Sequence, residues 1–186
     1  MAHSLPYGVE CLTVASMKGL LMKPRGHFFT GAVAGLLATL PMTAVMIVGK
    51  RFLPRKSQDP LPPAQITKNA LRAIKVEDEV SSNEEELLTI VNHFGFGATT
   101  GALYGSLCAP RSNAHAVTTG CIYGLGVWSC SYLGWLPAAG LYRSGMDDTR
   151  ERNALMIVAH LVWGASLGLT TRYLRETPPE QSEVSS

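Results

Sequence analysis

The chain has 186 residues, a formal net charge of +2 and a mean hydropathy of +0.12. That length suits one compact domain, but the average hides how charge is arranged. All 30 Asp, Glu, Lys and Arg side chains lie outside four stretches, Gly26–Gly49, Leu87–Pro110, Ser112–Tyr142 and Asn153–Thr171, of 24, 24, 31 and 19 residues. A soluble helix normally carries charge on its polar stripe, and a chain this short cannot wrap four uncharged helices on every side. About 20 helical residues cross a bilayer core of about 30 Å. The expected fold is therefore all-α: an integral membrane bundle of four transmembrane helices.

Taken in order, residues 1–26 form an N-terminal segment without a cleavable signal, in which Tyr7–Met22 has room for a short surface helix. The first span is expected at about 27–48, kinked near Pro41. A polar loop, 51–86, begins proline-rich and continues into a helix over Ala64–Val76. There Ile66, Ala70, Ala73 and Ile74 share one face and Lys68, Arg72 and Lys75 the other, the pattern of an amphipathic helix lying on a bilayer surface. The second span, 87–107, follows a capping box of Asn83 with Glu86. A short turn at Pro110 and Asn113 leads to the third span, 114–136, which Pro137 stops. The fourth, 153–171, follows a second capping box, Asp148 with Glu151. The transmembrane domain thus runs over 27–175, and 176–186 form a polar, disordered tail. The first and third loops hold ten of the 16 Lys and Arg residues, so the positive-inside rule places those loops in the cytoplasm.

One motif recurs. His27, Gly31 and Gly35 are spaced by four, as are His93, Gly97, Gly101 and Gly105, and again His160, Gly164 and Gly168; His115, Gly120 and Gly124 give a looser copy. Glycine at every fourth position makes a smooth groove, and in lipid such grooves are where helices meet. The repetition suggests a duplicated helical hairpin.

His27 and His115 fall at span ends, where water reaches them. His93 and His160 are expected about 10 Å inside, at similar depth on co-directional spans, and intramembrane ionisable residues are functional candidates. They suit proton or substrate transit, or ligation of a metal or a haem. Against these stands the ordinary reading that each fixes helix packing by a hydrogen bond. A second polar cluster, Arg143, Asp147, Asp148, Arg150, Glu151 and Arg152, lies in the third loop; Arg143, Asp147 and Asp148 are its candidate site residues, with Arg143 and Asp147 close enough to pair locally. No H-E-x-x-H, G-x-S-x-G or Walker loop is present, so no catalytic residue and no metal site is expected. Of the four cysteines, Cys11, Cys108, Cys121 and Cys130, none forms a C-x-x-C pair; buried free thiols are expected.

Three segments resemble the YagU-like family of small bacterial inner-membrane proteins: Gly31 to Gly35 followed by the basic end and the proline-rich stretch to Thr67, then Trp128–Leu141, and the final span from His160 to Gly168. The resemblance implies a multi-pass inner-membrane protein without established chemistry and with a proposed link to acid tolerance. The leading expectation is a non-enzymatic structural or accessory bundle linked to acid or envelope stress, with the lipid bilayer, copies of itself or a larger membrane complex as partners, and no nucleic acid. The alternatives are a small transporter or channel component using His93 and His160, and a cofactor-binding subunit of an electron-transfer or pigment complex. No cofactor is expected on the leading reading; haem or pigment ligation by His93 or His160 belongs to the last.

Overall fold

A computed structural model describes residues 24–109 and 115–176, the side chains of 24–26 and 56 excepted. The expected surface helix at Tyr7–Met22, Cys11, the turn at Pro110 and Asn113, and the tail from 177 lie outside the described residues.

Within them the fold is helical, without strands. The helices are α1, Pro24–Lys50; α2, Pro62–Ala73; α3, Ser82–Leu103; α4, Ala116–Ser129; and α5, Arg150–Glu176. Two of them, α1 and α5, are long and apolar enough to cross a membrane, over His27–Lys50 and Arg150–Glu176. α1 runs through Pro41 as one element. α3 passes into a π-helical turn at Tyr104–Cys108, and α4 into another at Cys130–Trp135, then into a last turn at Leu136–Ala138. A π turn holds one residue more than the α-helix would and re-aims the side chains beyond it.

The start of α3 corrects the expected cap. Ser81, not Asn83, is the N-cap: its hydroxyl accepts from the Glu84 amide while the Glu84 carboxylate accepts from the Ser81 amide. Three such pairs overlap in the sequence, and the box that forms is the earliest. At α5, Asp148 does not box with Glu151. Its carboxylate accepts from the Thr149 amide and the Tyr142 hydroxyl and faces Arg152.

α1 and α5 are the central pair. α3 packs on α1, α4 packs on α5, and α2 lies against α3. Two glycine seams make the outer contacts. A Cβ added at Gly31 would meet the Gly105 Cα at 2.9 Å, and one at Gly35 the Gly101 Cα at 2.8 Å. In the other pair, a Cβ at Gly164 would lie 2.8 Å from the Gly120 carbonyl carbon, and one at Gly168 the same distance from that of Ala116. Gly97 and Gly124 complete the seams, opposite Thr39 and His160. Backbone touches backbone along both seams, which no larger residue permits.

The two seams share a register. Gly101 and Gly105 face Gly31 and His27 as Gly164 and Gly168 face Gly120 and Ala116. On this matching His160 corresponds to Gly97, not to His93. The two histidines therefore hold different places relative to the helix each packs on.

α2 is amphipathic, but its apolar face is turned to the bundle. Pro62, Thr67 and Leu71 are buried, while Ile74 is exposed. The Asn92 side chain donates to Thr67, and the Asn69 side chain donates to the Leu141 carbonyl. On the opposite face Lys68 and Arg72 converge on Glu77. The bond from Arg72 holds the Glu77 carboxyl below its usual range, and the Ser81 hydroxyl does the same for Glu84. A depressed carboxyl stabilises the fold above its unfolded value, about 4.3, and that contribution is lost as pH falls through the folded value. Lowering pH from 6 to below 4 should therefore reduce amide-exchange protection over residues 74–84, and Glu77→Gln should do so already at neutral pH. Unchanged protection in both would remove Glu77 as the tie.

Candidate functional site

The gap between α3 and α4 forms a cavity of about 290 Å³. α1 and α5 supply its floor through Thr39, Met42, Met46, His160 and Trp163. α3 gives Asn92, His93, Phe96, Gly97 and Thr100, and the π turn of α4 gives Ser131, Tyr132 and Trp135. α2 closes one side with Pro63, Ile66, Thr67 and Ala70. Phe96 and Trp135 bridge the gap with ring centroids 6.2 Å apart, and both are more than a third exposed. π turns often occur at sites because they re-aim side chains inward, as here for Ser131 and Tyr132.

His93 and His160 thus line the same cavity. The His93 Nε2 lies 3.2 Å from the Thr43 hydroxyl oxygen. The His160 Nδ1 donates to the Met156 carbonyl at 2.8 Å, and its ring meets Tyr132 edge-on. Most other polar groups of the wall are already used. Thr39 and Thr100 donate to carbonyls of their own helices, and the Trp163 indole donates across the helix interface to the Gly35 carbonyl.

The polar cluster of the third loop is organised differently from the expectation. Arg143 does not pair with Asp147. Its guanidinium donates to Asp59 at 2.9 Å and lies 3.9 Å from Asp148. Asp147 is exposed and makes no ion pair among the described residues. Burial acts to lower the Arg143 pKa, but the bond with Asp59 and the charge of Asp148 outweigh it and the net shift is upward.

The centre of the cluster is a residue the sequence reading left out of its site, Arg152. Its side chain is 2% exposed. It donates to the carbonyls of Ser57, Asp59 and Pro60 and to the Tyr142 hydroxyl, and its Nε lies 3.3 Å from the Asp148 carboxylate. Every guanidinium donor has a partner, so Arg152 joins the first loop, the third loop and α5. Burial raises the Tyr142 pKa, and the bond from Arg152 works against that rise. A guanidinium so fully bonded is a fastener, with no donor left for a ligand.

At the other end of the bundle Arg175 donates to the Gly105 carbonyl at 2.6 Å, tying α5 to the π turn of α3. Cys108, Cys121 and Cys130 are free thiols. Cys108 and Cys130 are exposed, contrary to the expected burial, because they sit on the outward side of the π turns. No group of three or more metal-ligating side chains exists among the described residues.

A family model described as a family of unknown function, DUF6789, matches residues 26–182. The chain belongs to this family. The match spans all five helices except the first residues of α1. No curated protein and no solved structure matches the chain. The family match does not carry the YagU-like assignment, which rests on its three sequence segments alone.

Proposed function

We propose that the chain is a multi-pass membrane protein with four crossings, residing in an inner membrane and acting by binding, without catalysis. The observation that carries this reading is the reversal of side-chain size from inside to outside. Glycine and alanine occupy the contacts, with Ala34 and Ala159 at 0% exposure. Large apolar residues face outward, with Leu40 at 55%, Val91 at 56% and Ile122 at 66%. Water would penalise so much exposed apolar surface; hydrocarbon does not, and there close packing of small residues is what draws helices together.

The loops support the same reading. The first and third loops meet through Arg152 and through Asn69, as loops on one side of a bilayer do. The bundle is read as an accessory component whose cavity between α3 and α4 is the functional part. The link to acid or envelope stress rests on the YagU-like resemblance, and growth of a deletion strain at low pH tests it separately. Reporter fusions at Met1, near Lys68 and at Ser186 test the topology. The two termini should report one side and the loop at Lys68 the other; termini on opposite sides would overturn the four-crossing arrangement.

A further inference from the structure

The hydrogen bonds around the two cavity histidines fix which ring nitrogen of each is free. Thr43 uses its only hydroxyl hydrogen on the Thr39 carbonyl, at 2.7 Å. The same oxygen can then only accept from His93, so the His93 Nε2 carries the hydrogen. The neutral ring is left with its lone pair on Nδ1. At His160 the Met156 carbonyl is an acceptor, so Nδ1 carries the hydrogen and the lone pair sits on Nε2. Neither lone-pair nitrogen has a hydrogen-bond partner among the described residues, although His160 is 5% exposed. A third acceptor, the Asn92 carbonyl oxygen, is left when its amide donates to Thr67. The indole donors of Trp135 and Trp163 are already spent, on Ser131 and Gly35.

The cavity is lined by both imidazoles, each with one ring nitrogen left as an acceptor, beside aromatic and thioether side chains. Its 290 Å³ lies at the lower end of small-molecule sites, about 300–1,000 Å³, which suits one substituted ring and not a macrocycle. Its outer edge is the Phe96–Trp135 ring pair, on the bundle's apolar flank.

We propose that this cavity binds a lipid-soluble, single-ring aromatic alcohol of the phenol or hydroquinone class, whose hydroxyls donate to His93 Nδ1 and His160 Nε2 while its ring lies among Phe96, Trp135 and Trp163. The proposal rests on the binding reading above and adds the ligand's chemistry. The ligand arrives from the bilayer, past Phe96 and Trp135.

The test uses the full chain purified in detergent, with quenching of its tryptophan fluorescence as readout. The probes are a short-chain alkyl hydroquinone kept reduced and its dimethyl ether, the same molecule without hydroxyl hydrogens. The hydroquinone should bind at least about tenfold tighter than the ether, the scale of one or two buried hydrogen bonds. His93→Phe and His160→Phe should each weaken the hydroquinone by about tenfold and leave the ether unchanged. Ala70→Phe, which fills the cavity from α2, should abolish both. Equal affinity for the two probes, with both abolished by Ala70→Phe, overturns the donor chemistry and leaves the cavity as a site. Binding that Ala70→Phe does not alter, or no binding of either probe to the folded chain, overturns this proposal and the binding reading together.

Discussion

Arg152→Met should destabilise the fold by about 3–5 kcal/mol, the range for removing one partner of a buried ion pair. Methionine fills similar volume, so little of the loss is cavity. What is lost is the set of bonds to Ser57, Asp59, Pro60 and Tyr142, and Asp148, whose side chain is 3% exposed, keeps only the more distant Arg143 guanidinium at 3.9 Å. Arg152→Lys recovers part of this, because one ammonium cannot reach three carbonyls, a phenol and a carboxylate at once. Arg143→Met is the control: Arg143 and Asp59 are 42% and 48% exposed, and an exposed pair contributes about 0–1 kcal/mol. Thermal unfolding in detergent compares the two. If Arg152→Met unfolds with the same midpoint as Arg143→Met, the fastener role of Arg152 is wrong.

Gly101→Ala should be the next most damaging change, and its sign should differ from that of Gly95→Ala. An added Cβ at Gly101 would sit 2.6 Å from the Gly35 Cα and 2.9 Å from the Gly35 nitrogen. These are backbone atoms and cannot turn aside, so α1 and α3 must separate. Overpacking of this kind costs about 1–3 kcal/mol. At Gly95 and Gly126, in helices of the same bundle, nothing lies within 4 Å of an added Cβ. Alanine there should be neutral or stabilise by up to about 1 kcal/mol, since glycine is the poorer helix former. The unfolding midpoints of the three variants decide it: equal shifts at Gly95 and Gly101 would mean the seam is looser than its geometry.

The helices were legible because charge and glycine are one-dimensional signals. A run without charge marks an apolar helix, and a four-residue step marks one face of it. The nine glycines of the repeat fall in the two seams for that reason. What the sequence could not supply was register between elements. Ser81, Ser82 and Asn83 each precede a glutamate by three residues, and only the docking of α3 selects Ser81. The histidines occupy equal places in the repeat, yet α3 is shifted by one glycine step on α1 relative to α5 on α4, so each stands differently against its own partner helix. Asp59 lies 84 residues from Arg143 and 93 from Arg152, so the first loop gave no sign of closing on the third. Arg152 itself looked like an ordinary charge before a span; its burial follows from carbonyls contributed by another loop.

The two arginines at the bundle's ends also decide where it can yield. Along each seam backbone lies on backbone, so α1 with α3 and α4 with α5 behave as stiff pairs. Arg152 clamps one end of the gap between them and Arg175 clamps the other. Between the clamps the floor carries Met42 and Met46, flexible side chains that tolerate small displacements. The gap then behaves as a slot in a beam held at both ends: it widens by bowing, and the displacement is greatest midway. Phe96 and Trp135 bridge the gap with ring centroids 6.2 Å apart, so any widening there would part the two rings.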